Sequence, residues 1–254
     1  EPWTFDAQEN NRLVGTFSFT DPDGASGNGY SYSINGESSV SCESNGSLSN
    51  PACQFSIGSS GGDYETKPSY SFTLTINDGV QSYTTSTVTI NMTNRNDNAP
   101  VITSSDTFSV NENNTSIGTV TATDADGDSI TFSLSGTDAS SINIDSSSGA
   151  LTFVPAPDYE TKSSYSVTVT ASDTGSSLPG DSSSPLEDSQ SITININNLN
   201  DNSPAFTSSA TFTAAENQTD IGTVTAADAD GDSVTFTISG SELAITSAGV
   251  LTCL

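Results

Sequence analysis

What most restricts the folding of this chain is that it repeats itself over a distance the size of a domain. GTVTATDADGDSITFSLSG, Gly118 to Gly136, returns almost verbatim as GTVTAADADGDSVTFTISG, Gly222 to Gly240. The shift is 104 residues (222 − 118), and it also takes Glu112 to Glu216 and Asn96-Asp97-Asn98 to Asn200-Asp201-Asn202. A fainter copy, GTFSFTDPDG from Gly15, lies 103 residues upstream of Gly118 (118 − 15). Periods near 100 mean tandem domains, because solenoid units repeat every 20–50 residues or so. Repeats are therefore expected at 1–99, 100–203 and 204–254. The third reaches Leu254 where the second has only reached Val154. It is expected to be the N-terminal half of a repeat, truncated, in a piece of a longer array. Cys253 falls where the second repeat has Phe153, an apolar core position.

Inside each copy the hydrophobic residues alternate with polar ones. YSFTLTIND places Tyr70, Phe72, Leu74 and Ile76 on one face, and YSVTVTASD does the same with Tyr165, Val167, Val169 and Ala171. SITFSLSG offers Ile130, Phe132 and Leu134, and SITININNLND offers Ile192, Ile194 and Ile196. A period of two, rich in Val, Ile, Thr and aromatics, is the mark of half-buried strands. No helical period is sustained. The fold class expected is all-β: tandem seven-stranded Greek-key β-sandwiches of immunoglobulin-like architecture, the last one truncated.

Composition then removes most functions. Four basic residues, Arg12, Lys67, Arg95 and Lys162, face 31 acidic ones, for a net charge of −27. Nucleic acid is excluded as a partner, since phosphate binding needs Lys and Arg. Cations are invited instead. There is no His, so neither a Ser-His-Asp nor a Cys-His arrangement is possible, and no imidazole can hold zinc. A glycosidase-like carboxylate pair can be picked anywhere among so many acids and carries no signal. The chain is not expected to be an enzyme. No apolar run approaches the ~20 residues of a membrane span, so insertion by this stretch is not expected. No signal peptide opens the chain and there is no initiator Met, which reads as a mature form or an excised fragment. Cys42 and Cys53, if oxidised, close a short loop contributing about 3 kcal/mol.

The carboxylates are concentrated rather than scattered. Glu9, Glu112 and Glu216 end first strands; Asp124, Asp126 and Asp128 sit in DADGD, and Asp228, Asp230 and Asp232 in its copy. Asp63 and Glu65 in GGDYETK match Asp158 and Glu160 in APDYETK, while Asp78 and Asp173 close equivalent strands. NRNDNAP and NNLNDNSPAF join the repeats. In a sandwich with an odd number of strands the loops gather at two poles, and a linker brings the lower pole of one repeat to the upper pole of the next. Glu9, Asp63, Glu65, Asp97, Asp124, Asp126 and Asp173 then meet at one junction. Two like charges 4 Å apart repel by about 4 kcal/mol at an effective dielectric near 20. Such crowding requires a counter-ion. Hard oxygen donors with interspersed Asn suit Ca²⁺, which accepts 6–8 of them; Mg²⁺ keeps its waters and demands an octahedron. An EF-hand reading of DADGD fails, because Ser129 and Ser135 stand where that loop needs Gly and Glu.

A strand-ending Glu, DxD, DxE, AxD and xxNDNxP, in this order within ~100-residue sandwich repeats, resemble the cadherin domain over nearly the whole chain. The resemblance implies three calcium ions at each complete inter-repeat junction. At the first it implies ligation by Glu9, Asp63, Glu65, the Arg95 carbonyl, Asp97 and Asp126, with Asn96, the Asn98 carbonyl, Asp124 and Asp173 around the third ion. At the second it implies Glu112, Asp158, Glu160, the Leu199 carbonyl, Asn200, Asp201, the Asn202 carbonyl, Asp228 and Asp230. Three Ca²⁺ nearly neutralise the seven carboxylates. Asn94 and Asn198 replace the family's usual Asp at a position that is not a main ligand. The Gly-x-Asn segment that often follows DxDGD is missing, and the partner of Asp173 at the second junction would lie beyond Leu254. Asp21, Asp23, Asn28 and Asp78 look like upper-pole ligands of the first repeat.

The resemblance implies a calcium-dependent extracellular adhesion protein, located at the cell surface, in which Ca²⁺ stiffens a rod of repeats. Its partners would be other cadherin-like repeats in cis or trans, as in homophilic adhesion, or another cell-surface protein. The alternative is a non-adhesive, calcium-stiffened spacer in a large surface protein whose head lies elsewhere. Near-verbatim repeats and scarce Lys and Arg favour a bacterial, marine source. Trp3 follows Pro2 much as Val101 follows Pro100, which makes it a first-strand core residue rather than a swapped anchor. Asn45, Asn91, Asn113, Asn114 and Asn217 lie in N-x-[ST] sequons, which such Ser-, Thr- and Asn-rich strings also produce by chance.

Overall fold

The computed structural model describes residues 2–23, 29–47, 51–175 and 185–254. Strands dominate it, with a single 3-10 turn at Ala139–Ser141 among the described residues. The chain divides into two compact units: Glu1–Val101 with Ala122–Thr131 and Ala171–Asp188, and Ile102–Thr121 with Phe132–Thr170 and Ser189–Leu254.

In the first unit one sheet runs in the order Trp3–Gln8, Val88–Thr93, Ser69–Asn77, Ser31–Asn35, with the short strand Ser82–Thr84 also on Ser69–Asn77. Its first pair is parallel, Trp3 opposite Val88 through Gln8 opposite Thr93, and the rest are antiparallel. The other sheet runs Leu13–Ser18, Ala52–Ile57, Val40–Ser44. The alternation read from YSFTLTIND holds: Tyr70, Phe72, Leu74 and Ile76 are buried and pack with Phe17, Phe55 and Ile57 of the other sheet. Phe55 meets Phe72 edge-on at 5.2 Å between ring centroids. Each such buried side chain contributes about 1.5–3 kcal/mol, which is how polar strands of this kind hold a sandwich together. Cys42 and Cys53 form a disulfide between the neighbouring strands of the second sheet.

The glycine that opens GTFS and both copies of GTVT has a packing reason. At each one the register shifts, between Leu13 and Gly15, Ser116 and Gly118, and Asp220 and Gly222. A Phe ring from upstream in the same repeat lies on the bulged residue: a Cβ there would come within 3.1 Å of Phe5, 2.6 Å of Phe108 or 2.9 Å of Phe212. A side chain at Gly118 or Gly222 would force the ring to move, and one at Gly15 would crowd it.

The second unit repeats the plan. Thr107–Asn111 runs parallel to Glu187–Asn197, followed in the sheet by Ser164–Ser172 and Thr131–Ser135. Ser116–Thr119, Ala150–Phe153 and Ile142–Ile144 make the other sheet. Val110, Val167, Val169, Ile192, Ile194 and Ile196 are buried on the first sheet, and Ile117, Ile142, Leu151 and Phe153 on the second. The Phe153 and Tyr165 rings meet edge-on at 4.9 Å. Further on, Asp220–Thr223, Val250–Cys253 and Leu243–Ile245 form a three-stranded sheet, and Ala205–Phe206 pairs with Ala226–Ala227. Leu251 is the one buried hydrophobic side chain described from residue 204 onward. Cys253, at the position of buried Phe153, is exposed.

Trp3 lies in its own first strand, as expected, but it is 46% exposed rather than core. Its ring stands edge-on to Phe17 at 4.9 Å.

Candidate metal centres

Each unit gathers its own cluster of oxygens, and the two are built alike. The anchor is the glutamate that follows the first strand. Glu9 is 1% exposed and Glu112 2%. Both oxygens of each accept backbone amides: Glu9 from Tyr64 (2.9 Å) and Arg95, Glu112 from Tyr159 (2.8 Å) and Leu199 (2.7 Å). One buried carboxylate thus ties the DYET turn to the Asn-rich connection. Two charge-assisted bonds from amides offset the cost of burying it.

The connection then wraps around the middle carboxylate of DADGD. Asp126 Oδ2 accepts the amides of Asp97 (3.1 Å) and Asn98 (2.8 Å), and its Oδ1 accepts Asn98 Nδ2 at 2.8 Å. Asn94 Nδ2 donates to the Asp126 carbonyl at 2.7 Å. In the second unit Asp230 takes the amides of Asp201 (3.1 Å) and Asn202 (2.8 Å) and Asn202 Nδ2 (3.0 Å), and Asn198 reaches the Asp230 carbonyl at 2.9 Å. Asn-Asp-Asn recurs because two successive amides and a side-chain amide converge on one aspartate. A turn alone does not require that set.

Carboxylates crowd around these anchors. Glu9, Asp63 and Glu65 have oxygens within 4.8 Å of one another, as do Glu65, Asp97 and Asp126, and Asp124, Asp126 and Asp128. In the second unit Glu112, Glu160, Asp201 and Asp230 form the equivalent group. Burial first, and then the charges of Glu9, Asp126 and Asp97, push the Glu65 carboxyl up to about 7. Glu160 moves the same way, from burial and from Glu112. Asp63 and Asp158 are held below the usual range, chiefly by Thr66 and Thr161 of their own turns.

The first unit also holds polar atoms that no described residue satisfies. Asp124 Oδ2, Asp173 Oδ2 and both side-chain atoms of Asn96 are buried without a hydrogen-bond partner among the described residues. Asp173 Oδ1 accepts the Gly175 (2.8 Å) and Leu186 (3.0 Å) amides. Buried orphans of this sort each cost on the order of 1–3 kcal/mol unless something else takes them up. Arg12 pairs with Glu43, Lys67 with Glu37 and Lys162 with Asp138. The donor set is entirely oxygen, which fits a hard cation and no soft one.

Of the residues expected at the first junction, Glu9, Asp63, Glu65, Asp97, Asp124 and Asp126 share grouped oxygens; Asn96 and Asp173 supply orphans. Arg95 and Asn98 are placed through their amides. At the second, Glu112, Glu160, Asp201 and Asp230 come together, and Leu199 and Asn202 donate amides to Glu112 and Asp230. Asp158, Asn200 and Asp228 stay outside the group: Asp158 caps its own turn through Thr161, Asn200 Nδ2 donates to Asp232, and Asp228 accepts the Asp230 amide. Glu216 is exposed. Asp21 accepts the Tyr30 hydroxyl at 3.0 Å and the Asp23 amide at 3.2 Å, Asp78 caps the turn at Val80 and Gln81, and Asn28 lies outside the described residues. Sequence reasoning left out Asp128, and also Asn10 and Asn113. The last two have left-handed backbone, φ +58° and +64°, and donate their side-chain amides to Asp97 and Asp201. The Glu-Asn pair present in all three copies was the available signal.

These features define a class: tandem β-sandwich repeats whose strand ends and connecting segments collect hard oxygen atoms. Residues 106–197 match the cadherin domain model. A search of curated proteins gives no match. Among solved structures, mouse cadherin-23 EC22-24 superposes with a TM-score of 0.72 at 25% identity, over 99% of this chain and 84% of that one. Human CDH23 EC21-23 gives 0.71 at 21% identity, over 100% and 88%. The protocadherin gammaB7 EC3-6 cis-dimer gives 0.70 at 24% identity, over 88% of this chain and 58% of the other. The all-β tandem-repeat fold is that of cadherin extracellular repeats. Nothing in these comparisons supports the bacterial source expected above.

Proposed function

We propose that the chain is part of a calcium-dependent extracellular adhesion protein, with repeats at 1–99, 100–203 and 204–254. Calcium held at the Asn-Asp-Asn connections fixes each repeat to the next. The observation that carries this is the set of buried oxygens on Asn96, Asp124 and Asp173 with no partner among the described residues, together with carboxylate groups, Asp124 in one of them, whose oxygens lie within 4.8 Å of one another. Glu9, Asp63, Glu65, Asp97, Asp124, Asp126 and Asp173, with the Arg95 and Asn98 carbonyls and Asn96, would hold up to three ions. Glu112, Asp158, Glu160, Asn200, Asp201, Asp228 and Asp230, with the Leu199 and Asn202 carbonyls, would serve the second connection. Bound calcium supplies the positive charge that lets these oxygens stand together. The chain's own part is to hold them: Glu9 and Glu112 tie turn to connection, and the Asn amides orient Asp126 and Asp230.

Affinity is expected at about 10⁻⁴–10⁻³ M, the range of extracellular modules. Calorimetric titration of the wild type and of Asp97→Ala with Asp126→Ala tests the assignment. The double variant should lose the heat of the first cluster. Unchanged binding would rule the assignment out.

The likeness to solved cadherin repeats does not separate adhesion from a spacer role, which is the second reading. Sedimentation with calcium and with chelator separates the two. Association that appears only with calcium supports adhesion through like repeats in cis or trans. A species that stays monomeric in both, yet becomes protease-resistant with calcium, supports the spacer.

A further inference from the structure

We propose that Lys67 and Lys162 are positioning residues for the two oxygen clusters, an inference that rests on the calcium reading above. The chain has only four basic residues, and two of them occupy the same place in DYETK, 63–67 and 158–162. Each lies 4.7 Å from the centroid of a tyrosine ring three residues on, Tyr70 or Tyr165. Each is ion-paired to a carboxylate that is nearly buried, Glu37 or Asp138.

The carboxylates are not copies of one another. Glu37 follows Gly36 directly after the strand Ser31–Asn35, whereas Asp138 comes two residues after Gly136 beyond Thr131–Ser135. Two different loops, with side chains of different length, each deliver an oxygen to the ammonium at the equivalent position. Both pass through a glycine of positive φ, +98° at Gly36 and +106° at Gly136. The arrangement is therefore reached twice from unlike sequence, which a chance surface pair would not show.

What the lysine holds is the turn that carries the ligands. The Lys162 amide donates to the Asp158 carbonyl at 2.9 Å, and Asp158 in turn accepts the Glu160 amide (3.1 Å) and the Thr161 hydroxyl (2.8 Å). Lys67 and Asp63 repeat this at 2.9 Å. Glu112 grips the turn from one side through Tyr159, and Lys162, fixed on Tyr165 and Asp138, grips it from the other. The pairing has a second effect. An ammonium two residues from Glu160 would neutralise the cluster and compete with a divalent cation, and Asp138 holds it away.

The two roles give opposite signs, so one experiment decides. If the lysines acted only as nearby charge, removing them would tighten calcium binding by lessening repulsion of the cation. Positioning predicts weakening. In the 254-residue chain, Lys67→Met with Lys162→Met should bind calcium about tenfold more weakly by calorimetry, as loss of a ligand's supporting contact does elsewhere. Glu37→Gln with Asp138→Asn should weaken it at least as much, because the ammonium is then free to fold onto the ligands. Arg at both lysine positions should restore wild-type affinity. Should the Met variant lose its near-ultraviolet circular dichroism, the Gln/Asn variant, which keeps side-chain volume, decides by the same criterion. Binding as tight as wild type, or tighter, in these variants overturns the inference alone; a wild-type chain that binds no calcium overturns the calcium reading with it.

Discussion

Glu112 shows how one residue serves both fold and site. It is buried, it accepts two backbone amides, and it faces Glu160, Asp201 and Asp230. Glu112→Gln keeps the shape but turns an NH₂ toward one of those amides, leaving a buried donor unmet at a cost of about 1–3 kcal/mol. It also removes a charge that repels the other three. In chelator the second effect offsets part of the first; in calcium there is no repulsion left to relieve, and a ligand is lost. Urea unfolding should therefore show a larger loss in calcium than in chelator. An equal loss in both would make Glu112 a structural residue only. That Glu9 and Glu112 fall among the clustered carboxylates was legible, because a lone glutamate recurs at a strand end beside turn-forming Asn. The roles of Asn10 and Asn113 were not. Their bonds to Asp97 and Asp201 span 87 and 88 residues, and no local pattern foretells a partner at that distance. Asp128 stood inside a motif already read, yet only the loop geometry brings its oxygen beside Asp124 and Asp126.

At the scale of elements, the strands announced themselves through alternation, since burial on one face is written into every second residue. Which strands lie side by side was less visible. The parallel pairing of Trp3–Gln8 with Val88–Thr93 joins opposite ends of a repeat, and the register shift at Gly15 depends on a ring two strands' sequence does not place together. The Lys-carboxylate tie between the loop after Ser31–Asn35 and the DYETK turn belongs to the same class of hidden contact. It makes stability depend on pH in a fixed direction. The Lys67 hydrogen bond and charge hold Glu37 below the usual carboxylate range, and Lys162 does so chiefly for Asp138. A depressed carboxyl stabilises the folded state above its ordinary value and loses that contribution as pH falls through the depressed one. General repulsion among the acids relaxes on acidification and runs the other way, so the comparison must be between variants. In chelator, between pH 6 and 3, the urea midpoint of Glu37→Gln with Asp138→Asn should fall less steeply than that of the wild type. Parallel slopes would show that the pairs contribute nothing measurable.

The whole molecule carries a net charge of −27, and two effects of added cations must be told apart on it. Screening acts on all charges alike: raising monovalent salt from 0.1 to 1 M shortens the Debye length from about 10 to about 3 Å, and the self-repulsion of so acidic a chain weakens with it. Coordination acts only where oxygens converge. In chelator, potassium chloride alone should thus raise the thermal midpoint gradually and without saturation. Calcium should do so at far lower concentration and should saturate. A site with a Kd of about 10⁻⁴ M contributes about 2.7 kcal/mol at a hundredfold excess of ion over Kd, on the linkage relation. Magnesium has the same valence, so screening gives it the same effect as calcium. Coordination does not, because Mg²⁺ gives up its waters reluctantly and fits poorly among carboxylates and amide oxygens spread over three chain segments. The decisive comparison is the midpoint at equal millimolar calcium and magnesium, with potassium chloride held at about 0.15 M to suppress screening. A clear excess for calcium, lost in Asp97→Ala with Asp126→Ala, means that the Asn-Asp-Asn connections are ion-locked. Equal midpoints in the two ions would reduce the clusters to generic acidity, and the repeats would then be joined by nothing stronger than their linkers.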